Sequence, residues 1–351
     1  MARSRSVWKV IGGLAVALIA AALLLWRELD ASIEQRSQAK GGTRIEVPAG
    51  ASLRVVLGEL ARVQALRNPR LVEWYLRLHG LPSRAQAGIY ELAQGESVRQ
   101  ILERLSAGRV VLSQVTIVEG WSVAQMRQAL NASGELVHEW QGLDDAALMS
   151  ALGLKGVSAE GRFFPDTYRF AAGTADRRLY ELALQRMNER LQQEWAARAP
   201  DLPIHSPEQA LILGSIIEKE TGREDERDKV AAVFVNRLRL GMRLQSDPTV
   251  IYGLGARYDG NLRRRDLEAD GPFNTYTRAG LPPTPIALPG GASLRAALHP
   301  AAIDALYFVA TGTGDGGHQF SATYAQHNAA LLRFLRRTGA TPDSAVLGGA
   351  R

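Results

Sequence analysis

Ser206-Pro-Glu-Gln-Ala210-Leu-Ile-Leu-Gly-Ser215-Ile-Ile-Glu218-Lys-Glu220-Thr-Gly222 reads as a single helix that crosses a hydrophobic core and ends on two carboxylates. Ser206 is an N-cap, Pro207 fits the first helical position, and Gln209 three residues after the cap completes a capping box. From Ala210 to Ile217 nearly every face is apolar, so the helix must be enclosed on all sides. Gly222 is the expected C-cap. Burial disfavours the charged form of a Glu at the end of such a helix, and the negative end of the helix dipole pushes the same way. A raised pKa is what a general acid needs near neutral pH. Residues two apart point ~200° apart on a helix, so only one of Glu218 and Glu220 can project into a narrow cleft. Periodicity does not choose between them. Either could instead be a helix-end carboxylate paired with one of the basic residues between Arg223 and Lys229.

Upstream, one pattern occurs three times: Ile45-Glu-Val-Pro-Ala-Gly50-Ala-Ser52-Leu53, Tyr90-Glu-Leu-Ala-Gln-Gly95-Glu-Ser97-Val98 and Val115-Thr-Ile-Val-Glu-Gly120-Trp-Ser122-Val123. Alternating apolar residues make a strand, Gly a permissive turn, and Ser a helix N-cap. An apolar helical stripe follows each copy: Val56, Leu57, Leu60; Ile101, Leu102, Leu105; Met126, Leu130. The segment from Asn68 to Arg84 inserts between the first two copies and is helical by pattern. The first two copies, about Arg44 to Arg109, resemble the LysM type of peptidoglycan-binding module; a generic βα spacer is the other reading. Further on, Gly161-Arg-Phe163-Phe164-Pro165-Asp-Thr-Tyr168 clusters aromatics around a proline ahead of a long helix from Asp176 to Arg198. Such a cluster can stack on sugar faces or seal a domain junction.

At the N-terminus, Val10 to Trp26 is an uncharged apolar run spanning ~26 Å as a helix, nearly a bilayer core. Arg3, Arg5 and Lys9 precede it, and Arg27 is followed by Glu28 and Asp30, so the positive-inside bias keeps the N-terminus cytoplasmic. The run ends in Leu23, Leu24, Leu25 and Trp26, bulky where a cleaved signal needs small residues. A membrane anchor is therefore expected, with the rest of the chain beyond an inner membrane, in the periplasm. The 351 residues are 46% hydrophobic and 22% charged, which excludes wholesale disorder, and Cys 0 excludes thiolate nucleophiles and zinc–cysteine sites. The net charge of +6 is too small to argue for nucleic acid. No His-Glu-x-x-His, Walker or Gly-x-Ser-x-Gly motif occurs, so no metal and no cofactor is expected.

Leu213-Gly-Ser-Ile-Ile-Glu-Lys-Glu220-Thr-Gly, Glu226-Arg-Asp-Lys-Val-Ala-Ala-Val-Phe-Val-Asn236-Arg, Gly241-Met-Arg-Leu-Gln245-Ser-Asp247-Pro-Thr249, Asn274-Thr-Tyr276, Gly280-Leu-Pro-Pro and His318-Gln-Phe320 resemble the endolytic murein transglycosylases, the YceG-like proteins. The resemblance covers nearly the whole chain and implies that Glu220, not Glu218, is catalytic. It further implies a lyase that cuts MurNAc-β-1,4-GlcNAc bonds of nascent peptidoglycan strands beside the peptidoglycan synthases. Glu220 would act as acid and then base, leaving 1,6-anhydroMurNAc ends. Gln245, Asn274 and Tyr276 are candidate substrate-binding residues, as is Glu218; loop-fixing hydrogen bonds are the other reading of the first three. Asp247 is the candidate for a second carboxylate, whose presence would turn the outcome to hydrolysis; otherwise it is a turn residue. A non-catalytic peptidoglycan-binding scaffold is the alternative outside enzymology. The expected fold is α+β: an N-terminus over 1–9, a transmembrane helix over 10–27, a LysM-like subdomain over 44–110, a connecting βα region over 111–159, a catalytic domain over 160–335 with a lysozyme-like helix-ending Glu, and a flexible tail over 338–351.

Overall fold

The computed structural model describes residues 2–48, 50–79 and 85–339, with side chains from residue 12 onward. The expected tail lies, from residue 340, outside the described residues, as does the end of the helical insertion at 80–84. The fold is mixed α+β, in two compact units: Met1–Gln114 with Arg169–Thr174, and Val115–Tyr168 with Ala175–Arg351.

In the first unit, helix α1 (Ala2–Glu34) contains the one stretch among the described residues that is long and apolar enough to cross a membrane. It runs on without a break, so Leu29 and Ile33 enter the core of the folded unit. Strand β1 (Thr43–Val47) is followed by α2 (Leu53–Arg62) and α3 (Pro69–Leu78), then β2 (Gly88–Leu92) and α4 (Val98–Ser106). β1 and β2 pair antiparallel with Ile45 opposite Tyr90. Period-two alternation sends Ile45, Val47, Tyr90 and Leu92 inward against the helical stripes of Val56, Leu60, Val72, Ile101 and Leu105. The recurring glycine is needed for its backbone: Gly50, Gly95 and Gly120 have φ of 74°, 70° and 76°. Two of the three serines cap as expected, Ser97 and Ser122 each closing a capping box with a Gln at the third helical position. Ser52 makes no such bond. Val55 stands where the other two copies have Gln, and an aliphatic side chain cannot reciprocate.

The division between the units falls within strands β3 (Leu112–Thr116) and β5 (Thr167–Ala171). Between these strands lie α5 (Val123–Asn131), β4 (Leu136–Val137) and α6 (Asp145–Ala151). After β6 (Thr174–Ala175) come α7 (Asp176–Ala196), α8 (Pro207–Glu220), α9 (Arg227–Arg239), α10 (Asp247–Leu254), α11 (Arg264–Glu268) and α12 (Gly291–Leu298). The unit ends with an antiparallel pair, β7 (Tyr307–Ala310) and β8 (His318–Ser321), and α13 (Tyr324–Thr338). α8 is the centre of the second unit, buried from Ala210 to Ile217 and packed by α7, α9, α10 and α12. Gly214 permits the close approach of α12, since a Cβ there would stand 3.0 Å from Leu294 Cδ2. The aromatic cluster packs rather than opening to solvent: Phe163 and Tyr168 are fully buried, and Phe163 meets Tyr180 edge-on at 5.7 Å.

Two local details of α8 differ from the sequence expectation. Ser206 accepts from the Gln209 amide at 3.2 Å, but the Gln209 side chain accepts from His205 N–H, one residue before the cap, so the box is half closed. At the other end the helix stops because Thr221 turns extended (φ −145°, ψ 133°), and Gly222 does not adopt the left-handed cap conformation.

Candidate active site

Glu218 and Glu220 leave α8 in different directions, as helical geometry demands. Glu218 Oε2 accepts the backbone N–H of Gly290 at 2.9 Å, at the N-cap of α12. Glu220 is buried, 7% exposed, and faces a cavity of about 290 Å3 shared with Arg237, Gln245, Asp247, Tyr276 and Tyr307. Its carboxyl is pushed up to about 8, first by burial and also by the nearby Asp247; the Ser246 hydroxyl and the Arg237 guanidinium pull the other way. At neutral pH Glu220 is thus mainly protonated, an acid with its proton to give.

The residues around it are held by a buried hydroxyl network. Ser246 is the N-cap of α10, yet its hydroxyl caps nothing there; it donates instead to Glu220 Oε1 at 2.5 Å. Ser246 N–H donates to Thr275 Oγ1 at 3.0 Å, and Thr249 Oγ1 lies 2.8 Å from that same hydroxyl. The preceding residue, Gln245, has φ +50°, rare for a side-chain-bearing residue, and its N–H donates to Thr275 O at 3.1 Å. That sharp turn separates the core residue Leu244 from the hydroxyl that reaches Glu220. Beside it, the Tyr276 hydroxyl donates to Asp247 Oδ1 at 2.5 Å. Burial raises Asp247 above the usual carboxylate range, and burial together with that carboxylate holds the Tyr276 phenol in its protonated form. Arg237, also buried, donates to Leu306 O at 2.7 Å and Leu244 O at 2.6 Å and lies 5.4 Å from the centre of the Tyr307 ring.

The YceG-like family model matches residues 45–333, most of the chain. The chain belongs to the YceG-like family. It is 30% identical to the endolytic murein transglycosylase of Bacillus subtilis (strain 168) over 91% of each chain. A Streptococcus pneumoniae relative of the same name is 25% identical over 81% of this chain, which spans only 57% of that longer protein. The crystal structure of a YceG-like protein from Listeria monocytogenes superposes with a TM-score of 0.52 at 28% identity, covering 83% of this chain and 99% of that one.

Of the residues singled out by sequence, this YceG-like chain brings Glu220, Gln245, Tyr276 and Asp247 onto one cavity. Two do not line it. Glu218 is engaged by Gly290. The Asn274 amide donates to the carbonyls of Asp266, Leu267 and Ala269 while its oxygen accepts from Tyr276 N–H, so it organises the loop that presents Tyr276. Sequence reading passed over Ser246, Arg237, Tyr307 and His327, which arrive from the turn before α10, α9, β7 and α13 respectively. Only Ser246 and Arg237 carried a signal, sitting inside or beside quoted motifs. Glu160 was also missed: burial pushes it up to about 7, but it accepts from Val123 N–H and Tyr252 O–H and does not line the cavity. Among the described residues no group of three or more His, Asp or Glu side chains is placed to hold a metal ion.

Proposed function

We propose that this protein is a membrane-anchored endolytic lytic transglycosylase that cleaves MurNAc-β-1,4-GlcNAc bonds within nascent peptidoglycan strands. The observation that carries the reading is the cavity-facing carboxyl of Glu220, mainly protonated at neutral pH and held by Ser246, while Asp247, the other carboxyl on that cavity, is engaged by the Tyr276 hydroxyl. Glu220 donates its proton to the glycosidic oxygen as the C1–O bond breaks, releasing the GlcNAc 4-hydroxyl. As a carboxylate it then takes the proton from the MurNAc 6-hydroxyl, whose oxygen bonds to C1 and closes the 1,6-anhydro ring. No water is consumed, and Glu220 ends protonated as it began. Gln245 and Tyr276 have polar groups on the same cavity that can bond sugar hydroxyl or N-acetyl groups. In this reading the N-terminal helix spans the inner membrane with its start in the cytoplasm, residues 44–110 form a LysM-like subdomain, and the periplasmic site works beside peptidoglycan synthases.

Asp247 on the same cavity favours one second reading, a hydrolytic muramidase in which it activates water. Mass spectrometry of products from uncrosslinked glycan strands, with the native chain and Glu220→Gln, separates the readings. Anhydro ends that vanish in the variant are expected; water-added reducing ends would replace the lyase with the hydrolase, and uncut strands would leave only binding.

A further inference from the structure

The first unit is joined to the apolar helix without a linker. α1 continues from Trp26 into the core at Leu29, one turn later, so the part of the unit touching Trp26 is fixed at the depth of Trp26. That part is the end of α3: the His79 ring lies 5.4 Å from Trp26 and stacks on Tyr75 at 4.0 Å. The adjoining exposed face of α3 is unusual for a soluble surface. Leu78 is 59% exposed and Trp74, one turn earlier, 61%. Next to Trp74 is a groove of about 460 Å3 lined by three arginines, Arg54, Arg70 and Arg77, with Glu73. Arg54 and Arg77 reach that one carboxylate at 3.3 and 2.7 Å, leaving the groove with an excess of positive charge.

We propose that the last turns of α3, with Trp74, Arg77 and Leu78, lie in the headgroup layer of an anionic phospholipid membrane, the arginine-lined groove taking a lipid phosphate. An apolar and an indole side chain beside cations is the composition that an interfacial layer accommodates, with the indole at headgroup level and the guanidiniums on phosphate. The inference rests on the membrane-spanning reading of α1 and adds to it a fixed seat. The unit would then not swing on its anchor but present its remaining surface at one orientation to the bilayer.

The chain contains no cysteine, so a nitroxide can be placed at one chosen position in the full-length protein. Leu18→Cys and Leu78→Cys, labelled and reconstituted in liposomes of phosphatidylglycerol and phosphatidylcholine, are compared by collision with oxygen and with a water-soluble nickel chelate. The label at 18 is expected deep in the hydrocarbon and that at 78 at the level of a headgroup-labelled lipid. Neutralising charge with Arg70→Gln and Arg77→Gln in the Leu78→Cys chain should shift the docked-to-undocked ratio by roughly fivefold per arginine. A label at 78 that reads bulk water while that at 18 is immersed overturns the seat and leaves the anchor standing. A label at 18 that reads water overturns both. Loss of co-sedimentation with isolated peptidoglycan in Trp74→Ala, with the label at 78 in water, would assign the face to glycan instead.

Discussion

Glu218 and Glu220 stand two residues apart in the same helical turn and face different environments. On the Glu218 side the partner is a backbone N–H at the start of α12, and the contact ties two helices together. On the Glu220 side the partner is a hydroxyl withdrawn from its own helix cap, and a second carboxylate and a buried guanidinium share its cavity. A carboxylate satisfied by backbone is a structural joint, whereas one kept protonated beside open space is equipped for chemistry. The sharpest way to break this contrast is to neutralise each in turn. Glu220→Gln should lower the rate of strand cleavage by roughly 10³-fold, within the span of general acid–base contributions. Glu218→Gln keeps an acceptor for Gly290 and should leave the rate within a few-fold. Equal losses in the two variants would erase the distinction.

The next effect lies in stability against pH. Glu220 has a folded-state pKa of about 8, above its ordinary value of 4.5. A carboxyl raised in this way binds its proton more tightly in the folded state, so its contribution is fully present below about pH 4.5 and is lost as pH rises through about 8. The loss is on the order of 5 kcal/mol. Glu220→Gln has no proton to lose, so its Tm measured against the native chain should gain steadily over that window and level off above it. The same pKa places the alkaline fall of activity near pH 8. Because the Ser246 hydroxyl favours the ionised form, Ser246→Ala should move that fall to higher pH. A fall that stays in place would mean the hydroxyl does not act on Glu220, and one that shifts downward would mean it favours the protonated form.

How far each region was legible follows from how local its determinants are. The strand–Gly–Ser–helix copies announce themselves because cap, turn and stripe lie within a dozen residues of one another. α8 was legible for the same reason, from its N-cap and unbroken apolar run. The surroundings of Glu220 were not, because Ser246, Arg237 and Tyr307 are brought to its neighbourhood only by tertiary packing. Ser246 is the instructive case: an N-cap position predicts a hydroxyl turned onto its own helix, and the fold turns it away. Asn274 is the converse. Its pattern left sugar binding and loop fixing open, and three backbone carbonyls account for its amide.

The smallest expected effect tests whether the turn at Gln245 is held for the sake of the cavity. A side-chain-bearing residue at φ +50° costs roughly 1 kcal/mol relative to glycine, and the strain persists only because Thr275 fixes the turn from the other side. Gln245→Gly should therefore be the more stable of two truncations by about 1 kcal/mol against Gln245→Ala, measured by urea denaturation, because only the former relieves the left-handed backbone. Both remove the same cavity-facing amide, so if that amide bonds the glycan they should raise KM together by a similar factor while kcat holds. A KM that follows stability instead, worse in Ala than in Gly, would show that Gln245 serves the turn that delivers Ser246 to Glu220 and that its side chain is incidental to substrate.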